Sequence, residues 1–439
     1  MARMIFRRAV VDEIERYLHT DDVIVLHGAR QVGKTSILMY LQDQLAAQGQ
    51  RTTYLDLEDS RLVAVLDRGV EEFLRYLQEE GADLTAAKAG GKLFVLIDEV
   101  QYLANPSSFM KLIADHHRYL KLIVSGSSSF EMKSKFRDSL VGRTVDFEIY
   151  PLSFRELLAF REVPFTPSST FTEKKTLELQ ALYVEYALYG GYPKIVLTPE
   201  VAMKERYLQQ IVDTYVRKDI RDLAEIRDVT KFNRLLEALA SQSGGLLNIA
   251  ELSNTCALAR PSVERYLFLL EQTYIIRLVR PFSRNLRSEI SKMPKVFLCD
   301  TGLMQMLWLK RLQREVVGPV FETSIYVELL KRYGSQPVGY WRTTDGREID
   351  FVVRQPETTL LIEAKLTFPH GIPAALRAIP NAAETSTPGE VEDYRVVGLY
   401  GLPGEERTPV PGATPAPAPS RRRGAGERSG MVFPWQLYS

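Results

Sequence analysis

The sequence predicts an α/β protein built from several consecutive units, and three observations carry that expectation. Its 439 residues exceed what one core closes over, about 100–200 residues, so two to four domains are expected. Hydrophobic residues at 45% and charged residues at 25% match an average globular protein, which excludes a fibrous or wholly unstructured chain. Aliphatic runs at 23–28, 52–59, 93–99 and 120–127 alternate with helix-like stretches such as 35–48, the pattern of a parallel sheet covered on both faces.

Taken in order, residues 1–152 form this α/β unit. Residues 153–228 turn helical, with a loop at VPFTPSST and a break at GGYP (190–193), and read as a helical lid or linker. Residues 229–311 hold three short helical segments; the third has Pro261 just inside its start and runs into YIIRLV, the order of a winged helix-turn-helix. Residues 312–401 place a helix around FETSIYVELLKRYG before VGYWRT, DGREIDFVV and LLIEAKL, an α-β-β-β order with YRVVGLYG as a further strand. Residues 402–439 shift to Pro, Gly, Ala and Arg, and this tail is expected to be disordered because it cannot bury a core.

Two cysteines, Cys256 and Cys299, make no disulfide framework, and no closely spaced Cys/His set has zinc-ligand spacing. The amino terminus lacks the apolar core of a signal peptide, and no apolar run approaches the ~20 residues that span a bilayer. A cytoplasmic protein with no membrane partner is expected.

The strongest local signal is Gly28-Ala-Arg-Gln-Val-Gly33-Lys34-Thr35, the pattern G-x(4)-G-K-[ST], set directly between a strand and a helix. Glycines at both ends let the backbone curl so that successive N–H groups face a phosphate. Lys34 then reaches the β/γ oxygens of ATP, the Thr35 hydroxyl ligates Mg²⁺, and Ser36 follows in the first turn. A P-loop NTPase with a parallel sheet is the fold this implies.

Further on, the strand LFVLI ends in Asp98-Glu99. Asp98 stands where a carboxylate supports the magnesium, and Glu99 is placed to polarise an attacking water; the plainer alternative is a helix cap. Ser127 or Ser128, after the strand LKLIV, is a candidate γ-phosphate sensor or a simple serine turn. Arg143 is a candidate arginine finger or sensor, catalytic alongside Glu99 and Lys34, or an arginine on a solvated loop; Arg30 inside the phosphate loop carries the same two readings.

GARQVGKT, LIDEVQYL, SGSSS, VGR, PLSFREL and GGYP together resemble the bacterial and archaeal AAA-type ATPases joined to a domain called DUF4143. The likeness covers about 5–400. It implies an ATPase of the additional-strand class with Lys34, Thr35, Asp98 and Glu99 in the roles above. Gln101 also matches the family's strand-end motif, without a chemical role of its own.

Near the carboxy terminus, Glu322 on a helix, Asp350 on a hairpin and Glu363-Ala-Lys365 on a strand form the set E…D…E-x-K. Phosphodiester cleavage needs carboxylates converging on Mg²⁺ and a lysine to orient water, and period two puts Glu363 and Lys365 on one strand face. This is the pattern of the PD-(D/E)XK nuclease fold, which the family's carboxy-terminal part resembles. The alternatives are a salt bridge on an edge strand or an inherited fold that no longer cuts.

The whole chain carries +1, yet between Arg260 and Arg311 ten Lys/Arg face four Asp/Glu, a surplus of six. That basic stripe makes DNA the expected partner, through Arg260, Arg265, Arg277 and Arg280, with Arg284 and Arg287 along the wing, mostly gripping phosphates. The expected function is ATP hydrolysis coupled to DNA binding and nuclease action. The competing expectation is an ATP-driven switch that binds DNA or protein through an inert nuclease fold. An arginine finger acting in trans requires a homo-oligomer.

Overall fold

The computed structural model describes residues 6–127, 140, 142–214, 226, 228–282, 293–343, 346–356, 358–369, 373, 391–401 and 430–438. Five strands, β1 (Val23–Gly28), β2 (Arg51–Asp56), β3 (Leu93–Asp98), β4 (Leu120–Ser127) and β5 (Thr144–Ile149), form the amino-terminal sheet in the order β2-β3-β4-β1-β5. Every pairing in it is parallel. The strands are uninterrupted aliphatic runs because both faces are covered. Val23, Val25, Val95, Ile97, Leu122 and Val124 enter one apolar cluster, while Ile24, Leu26, Phe94, Leu96 and Ile123 enter the other. The helix Lys34–Ala47 buries Ile37, Leu38, Leu41 and Leu45 on the second face, at the three-to-four spacing of a helical stripe. The strand separating β1 from β3 is β4, whereas β2, between the two motifs in sequence, takes the outer edge.

The helices Phe154–Phe160 and Glu173–Tyr189 follow. After the helices Pro193–Val196 and Val201–Ile211, three more, Val229–Ser241, Ile249–Cys256 and Arg260–Gln272, lead into an antiparallel ribbon of β6 (Ile276–Val279) and β7 (Lys295–Leu298). Asp228 and Asn248 cap the first two of these helices by accepting first-turn amides, and Pro261 stands in the first turn of the third, as its sequence position predicts.

The helix Gly318–Tyr333 packs against Glu173–Tyr189 and against a second sheet of β8 (Val338–Arg342), β9 (Glu348–Arg354), β10 (Thr358–Thr367), β11 (Val391–Tyr400) and β12 (Gly430–Val432). Its order is β12-β11-β10-β9-β8, antiparallel through β8, β9 and β10 and parallel beyond. The ribbon is stitched to it by a bridge between Pro281 and Tyr340. No described helix is long and apolar enough to cross a membrane.

The expectation of a disordered tail over 402–439 is corrected at its far end; residues 402–429 lie outside the described set. Gly430–Val432 pair with β11, and Pro434–Tyr438 form a 3-10 turn. Trp435 is fully buried, stacked on Phe433 with ring centroids 4.7 Å apart. The apolar segment MVFPWQLY behind the Pro/Arg stretch supplies enough burial to order itself, and averaging composition across the whole tail hides it.

Candidate functional site

The phosphate loop lies at the carboxyl ends of the parallel strands, where α/β sheets take their ligands. It turns through left-handed conformations at Gln31 (φ 63°) and Gly33 (φ 100°) before the helix begins at Lys34. Gly33 is the residue before that helix and brings no side chain to cap it, so no capping side chain accepts the first-turn amides around Thr35 and Ser36. Lys34 is 5% exposed; its Nζ donates to the carbonyls of Gly28 (3.0 Å) and Ala29 (2.8 Å). Burial pushes its ammonium down to about 8, Glu99 and Asp98 pull the other way, and exposed Arg30 adds to the fall.

Asp98 ends β3 and is buried. Its Oδ1 accepts the Ser125 hydroxyl and the Glu99 N–H (3.1 Å), and its Oδ2 accepts the Tyr54 hydroxyl (3.1 Å). Neighbouring strands β4 and β2 deliver these two hydroxyls. Glu99 sits at φ 57°, and the Gln101 side-chain amide donates to its Oε2, which gives Gln101 a role. Neither acid caps a helix: the 3-10 turn Val100–Tyr102 that follows has no side-chain cap. Gly28, Gly33, Lys34 and Thr35 thus stand in one loop, and Asp98 and Glu99 lie near enough to Lys34 to act on its charge. Ser127 ends β4 beside Gly28, with its side chain outside the described set, as is the whole of Ser128.

Arg143 is a correction. It immediately precedes β5, whose first residue Thr144 pairs with Val23, at the opposite end of β1 from Gly28. At about 3.3 Å per residue, the six-residue strand separates Arg143 from the phosphate loop by roughly 17 Å. Its Nε is engaged 2.6 Å from Asp115 Oδ1. It cannot serve the nucleotide of its own chain.

Sequence reasoning missed Arg8. Its Nη1 donates to the carbonyl of Val32 in the phosphate loop (2.7 Å), its Nη2 to the carbonyl of Tyr150 (2.9 Å), and its Nε to Glu156 Oε1 (2.7 Å). Glu156 closes a capping box with Ser153, and that S-x-x-E spacing was a visible signal for the helix start.

In the carboxy-terminal sheet, Lys365 Nζ stands 2.7 Å from Glu363 Oε1 and 3.6 Å from Asp350 Oδ2, and Asp350 also accepts the Ala364 N–H (2.9 Å). Glu322 is electrostatically linked to them: burial pushes it up to about 7, Lys295 opposes this, and Asp350 and Glu348 add to it. Asp350, Glu363 and Lys365 stand together, and Glu322 is linked to Asp350 only through its charge. The salt bridge of the plainer alternative is present between Glu363 and Lys365; β9 and β11 flank β10, but pairing with β9 ends at Ile362, so these two residues are paired only with β11. Two participants were not foreseen: Lys295 of β7 reaches Glu322 (3.1 Å) and Glu348 (2.5 Å). Among the described residues, no three His, Cys, Asp or Glu side chains are drawn close enough to hold a metal ion as they stand. Glu363 Oε2 is nonetheless buried without a hydrogen-bond partner, and an all-carboxylate donor set suits Mg²⁺ or Mn²⁺.

Three family models match the chain: an AAA domain over residues 20–158, a domain of unknown function (DUF8612) over 180–314, and a domain of unknown function (DUF4143) over 317–399. The chain carries an AAA domain joined to a DUF4143 domain. An uncharacterized protein of Haemophilus influenzae is 27% identical over 381 residues, covering 83% of this chain and 88% of that one. One from Mycobacterium tuberculosis is 22% identical over 413 residues, covering 93% of this chain and 82% of its own. Among solved structures, AMPPCP-bound DnaA from Aquifex aeolicus aligns at 16% identity and TM-score 0.27, over 61% of this chain and 90% of that one. Drosophila ORC bound to DNA aligns at 12% identity and TM-score 0.29, over 65% and 91%.

The AAA domain meets the ribbon through a polar cluster that corrects a second expectation. Arg277, expected to grip nucleic acid, is 8% exposed. Its Nη2 donates to the Tyr150 hydroxyl (2.8 Å) and lies 3.3 Å from Glu148 Oε1, and its Nη1 donates to the carbonyl of Glu271 (2.6 Å). A charge count along the sequence does not register that β6 faces the AAA sheet. Tyr274 joins the cluster by pairing with His27, the residue before Gly28. Arg260, Arg265 and Arg280 are exposed, Arg260 beside Glu264 (2.9 Å), while Arg284 and Arg287 lie outside the described residues.

Proposed function

We propose that this chain binds and hydrolyses ATP in its AAA domain and couples turnover to DNA held by a winged helix spanning the three helices and the ribbon. The observation that carries the first part is the buried Lys34 beside Asp98 and Glu99 at the carboxyl ends of the strands. The loop amides and Lys34 hold the phosphates, Thr35 and Asp98 provide for Mg²⁺, and Glu99 takes the proton of the attacking water. When bound, Mg²⁺ would spread the charge that develops on the phosphate oxygens. Gln101 holds Glu99 in place, and Ser125 and Tyr54 hold Asp98. Arg30 and Ser127 flank the phosphates and assist in holding them. In this proposal the protein is a cytoplasmic homo-oligomer in which a second copy of the chain supplies the arginine finger, since Arg143 is remote from its own loop.

Arg260, Arg265 and Arg280 grip DNA phosphates. The DUF4143 domain then presents Glu322, Asp350 and Glu363 to Mg²⁺, with Lys365 orienting water, as a nuclease site. The second reading, a switch whose nuclease fold is inert, is favoured by the lysines that pair with these carboxylates. Purified protein incubated with Mg²⁺ or Mn²⁺ and single-stranded, double-stranded or branched DNA separates them. Cleavage lost in Glu363→Ala supports the nuclease; no cleavage of any substrate supports the switch. Full ATP turnover in Lys34→Ala would contradict the nucleotide site.

A further inference from the structure

The carboxylates of the DUF4143 domain are closed off by a lysine that belongs to another part of the chain. Lys295 opens β7 of the ribbon, within the stretch matched by DUF8612, and its side chain is 4% exposed. Its Nζ lies 3.1 Å from Glu322 Oε1 on the helix Gly318–Tyr333 and 2.5 Å from Glu348 Oε1 on β9. Lys365, by contrast, comes from the same strand as Glu363 and is 42% exposed at its side chain. One lysine is thus native to the site, and the other is inserted from outside it.

We propose that Lys295 is an internal cation that occupies the place of a divalent metal ion, and that the Glu322, Asp350 and Glu363 site accepts Mg²⁺ or Mn²⁺ only when the ribbon withdraws it. The proposal rests on reading those three side chains as metal carboxylates. Two independent observations support it. Glu363 Oε2 is buried and lacks a hydrogen-bond partner, an oxygen left open to a cation. The Lys295 ammonium bridges Glu322 and Glu348 as a cation would, and among the described residues no three acidic side chains stand close enough together to hold a metal ion. Charge gives the direction of the effect. Four carboxylates, Glu322, Glu348, Asp350 and Glu363, share Lys295 and Lys365, with Arg342 3.2 Å from Glu348. Removing Lys295 leaves partly buried negative charge that a dication relieves and a neutral side chain does not.

The attachment of the ribbon shows what must move. Tyr340 of β8 donates its N–H to the Arg280 carbonyl (3.2 Å) and its hydroxyl to the Met293 carbonyl (2.5 Å), and Gly244 donates to Val296 (2.8 Å). Those bonds anchor both sides of β7 close to the carboxylates. Because the same ribbon carries Arg277 against Tyr150 and Glu148 of the AAA domain, a shift there displaces Lys295 as well.

Binding of Mn²⁺ alone to the nucleotide-free full chain, measured by calorimetry and by the electron paramagnetic resonance of free Mn²⁺, tests this. Lys295→Met keeps the apolar stem and removes the charge; it should bind Mn²⁺ about tenfold more tightly than the wild type or Lys295→Arg. Adding Glu363→Ala to Lys295→Met should abolish the gain and so assign it to this site. Should Lys295→Met fail to fold, Glu348→Gln loosens Lys295 without touching the three ligands and should give a smaller gain in the same direction. Equal Mn²⁺ affinity in wild type and Lys295→Met overturns the internal cation while leaving the metal reading intact. No Mn²⁺ bound by any variant at millimolar concentration overturns the metal reading beneath it.

Discussion

Arg8 Nη1 donates to the carbonyl of Val32 at 2.7 Å, tying the amino-terminal segment to the inside of the phosphate loop. The same guanidinium is paired with Glu156, and both side chains are about nine-tenths buried. Arg8→Ala therefore removes a loop anchor and strands a buried carboxylate, at a cost of about 3–5 kcal/mol. Thermal melts should show a lower Tm, partly recovered by Glu156→Gln in the same chain. An unchanged melt in Arg8→Ala would show that Glu156 finds another partner.

Acid stability should hinge on Glu185. Burial pushes its carboxyl up, but hydrogen bonds from Arg161 and Lys204 outweigh this and bring it down to about 2. A carboxylate lowered in the folded state contributes stability that is present above the usual carboxylate range and is lost as pH falls toward the folded value. Denaturant midpoints should therefore drop between about pH 4.5 and 2, and Glu185→Gln should remove about 2 kcal/mol of that loss, allowing for partial exposure. A slope unaltered by the substitution would place the acid sensitivity elsewhere.

The arginines of the ribbon and its preceding helix should separate by burial. Arg265→Ala and Arg280→Ala should weaken DNA binding and make its salt dependence shallower by about one unit for each phosphate no longer gripped. Arg277→Ala should instead lower Tm, because it opens the junction with Tyr150 and Glu148, and leave the salt slope of the folded protein unchanged. A reduced slope in Arg277→Ala would mean that the ribbon leaves the AAA domain when DNA binds.

Trp435→Ala should destabilise the DUF4143 sheet by about 3–5 kcal/mol, the range for emptying a fully buried large aromatic site. Hydrogen exchange should then rise in β11 and β12, the strands nearest the missing ring. Unchanged protection would show that Gly430–Val432 hold their place through backbone pairing alone.

What the sequence disclosed follows from how local each signal is. The phosphate loop is eight consecutive residues between a strand and a helix, so both motif and context are contiguous. Asp98 and Glu99 were legible because a buried strand that ends in acids is itself a local pattern, and Glu363 with Lys365 because alternation fixes their shared face. Arg8, Ser125, Tyr54 and Lys295 act on partners 24, 27, 44 and 27 residues away or more, and no spacing rule joins them. Arg143 was misplaced although a signal existed: a residue just before a parallel strand lies at the end of the sheet opposite the loops that bind ligand. Arg277 was misplaced because counting charges along the chain carries no information about which of them are buried.

In the proposed cycle Glu99 activates water at a nucleotide held by Lys34. The most direct measurement is ATP turnover and nucleotide binding side by side in the wild type, Glu99→Gln and Lys34→Ala. Glu99→Gln should bind nucleotide with nearly wild-type affinity while turnover falls by about 100-fold or more, and Lys34→Ala should lose binding itself. Wild-type turnover in Glu99→Gln would exclude Glu99 as the group that activates water.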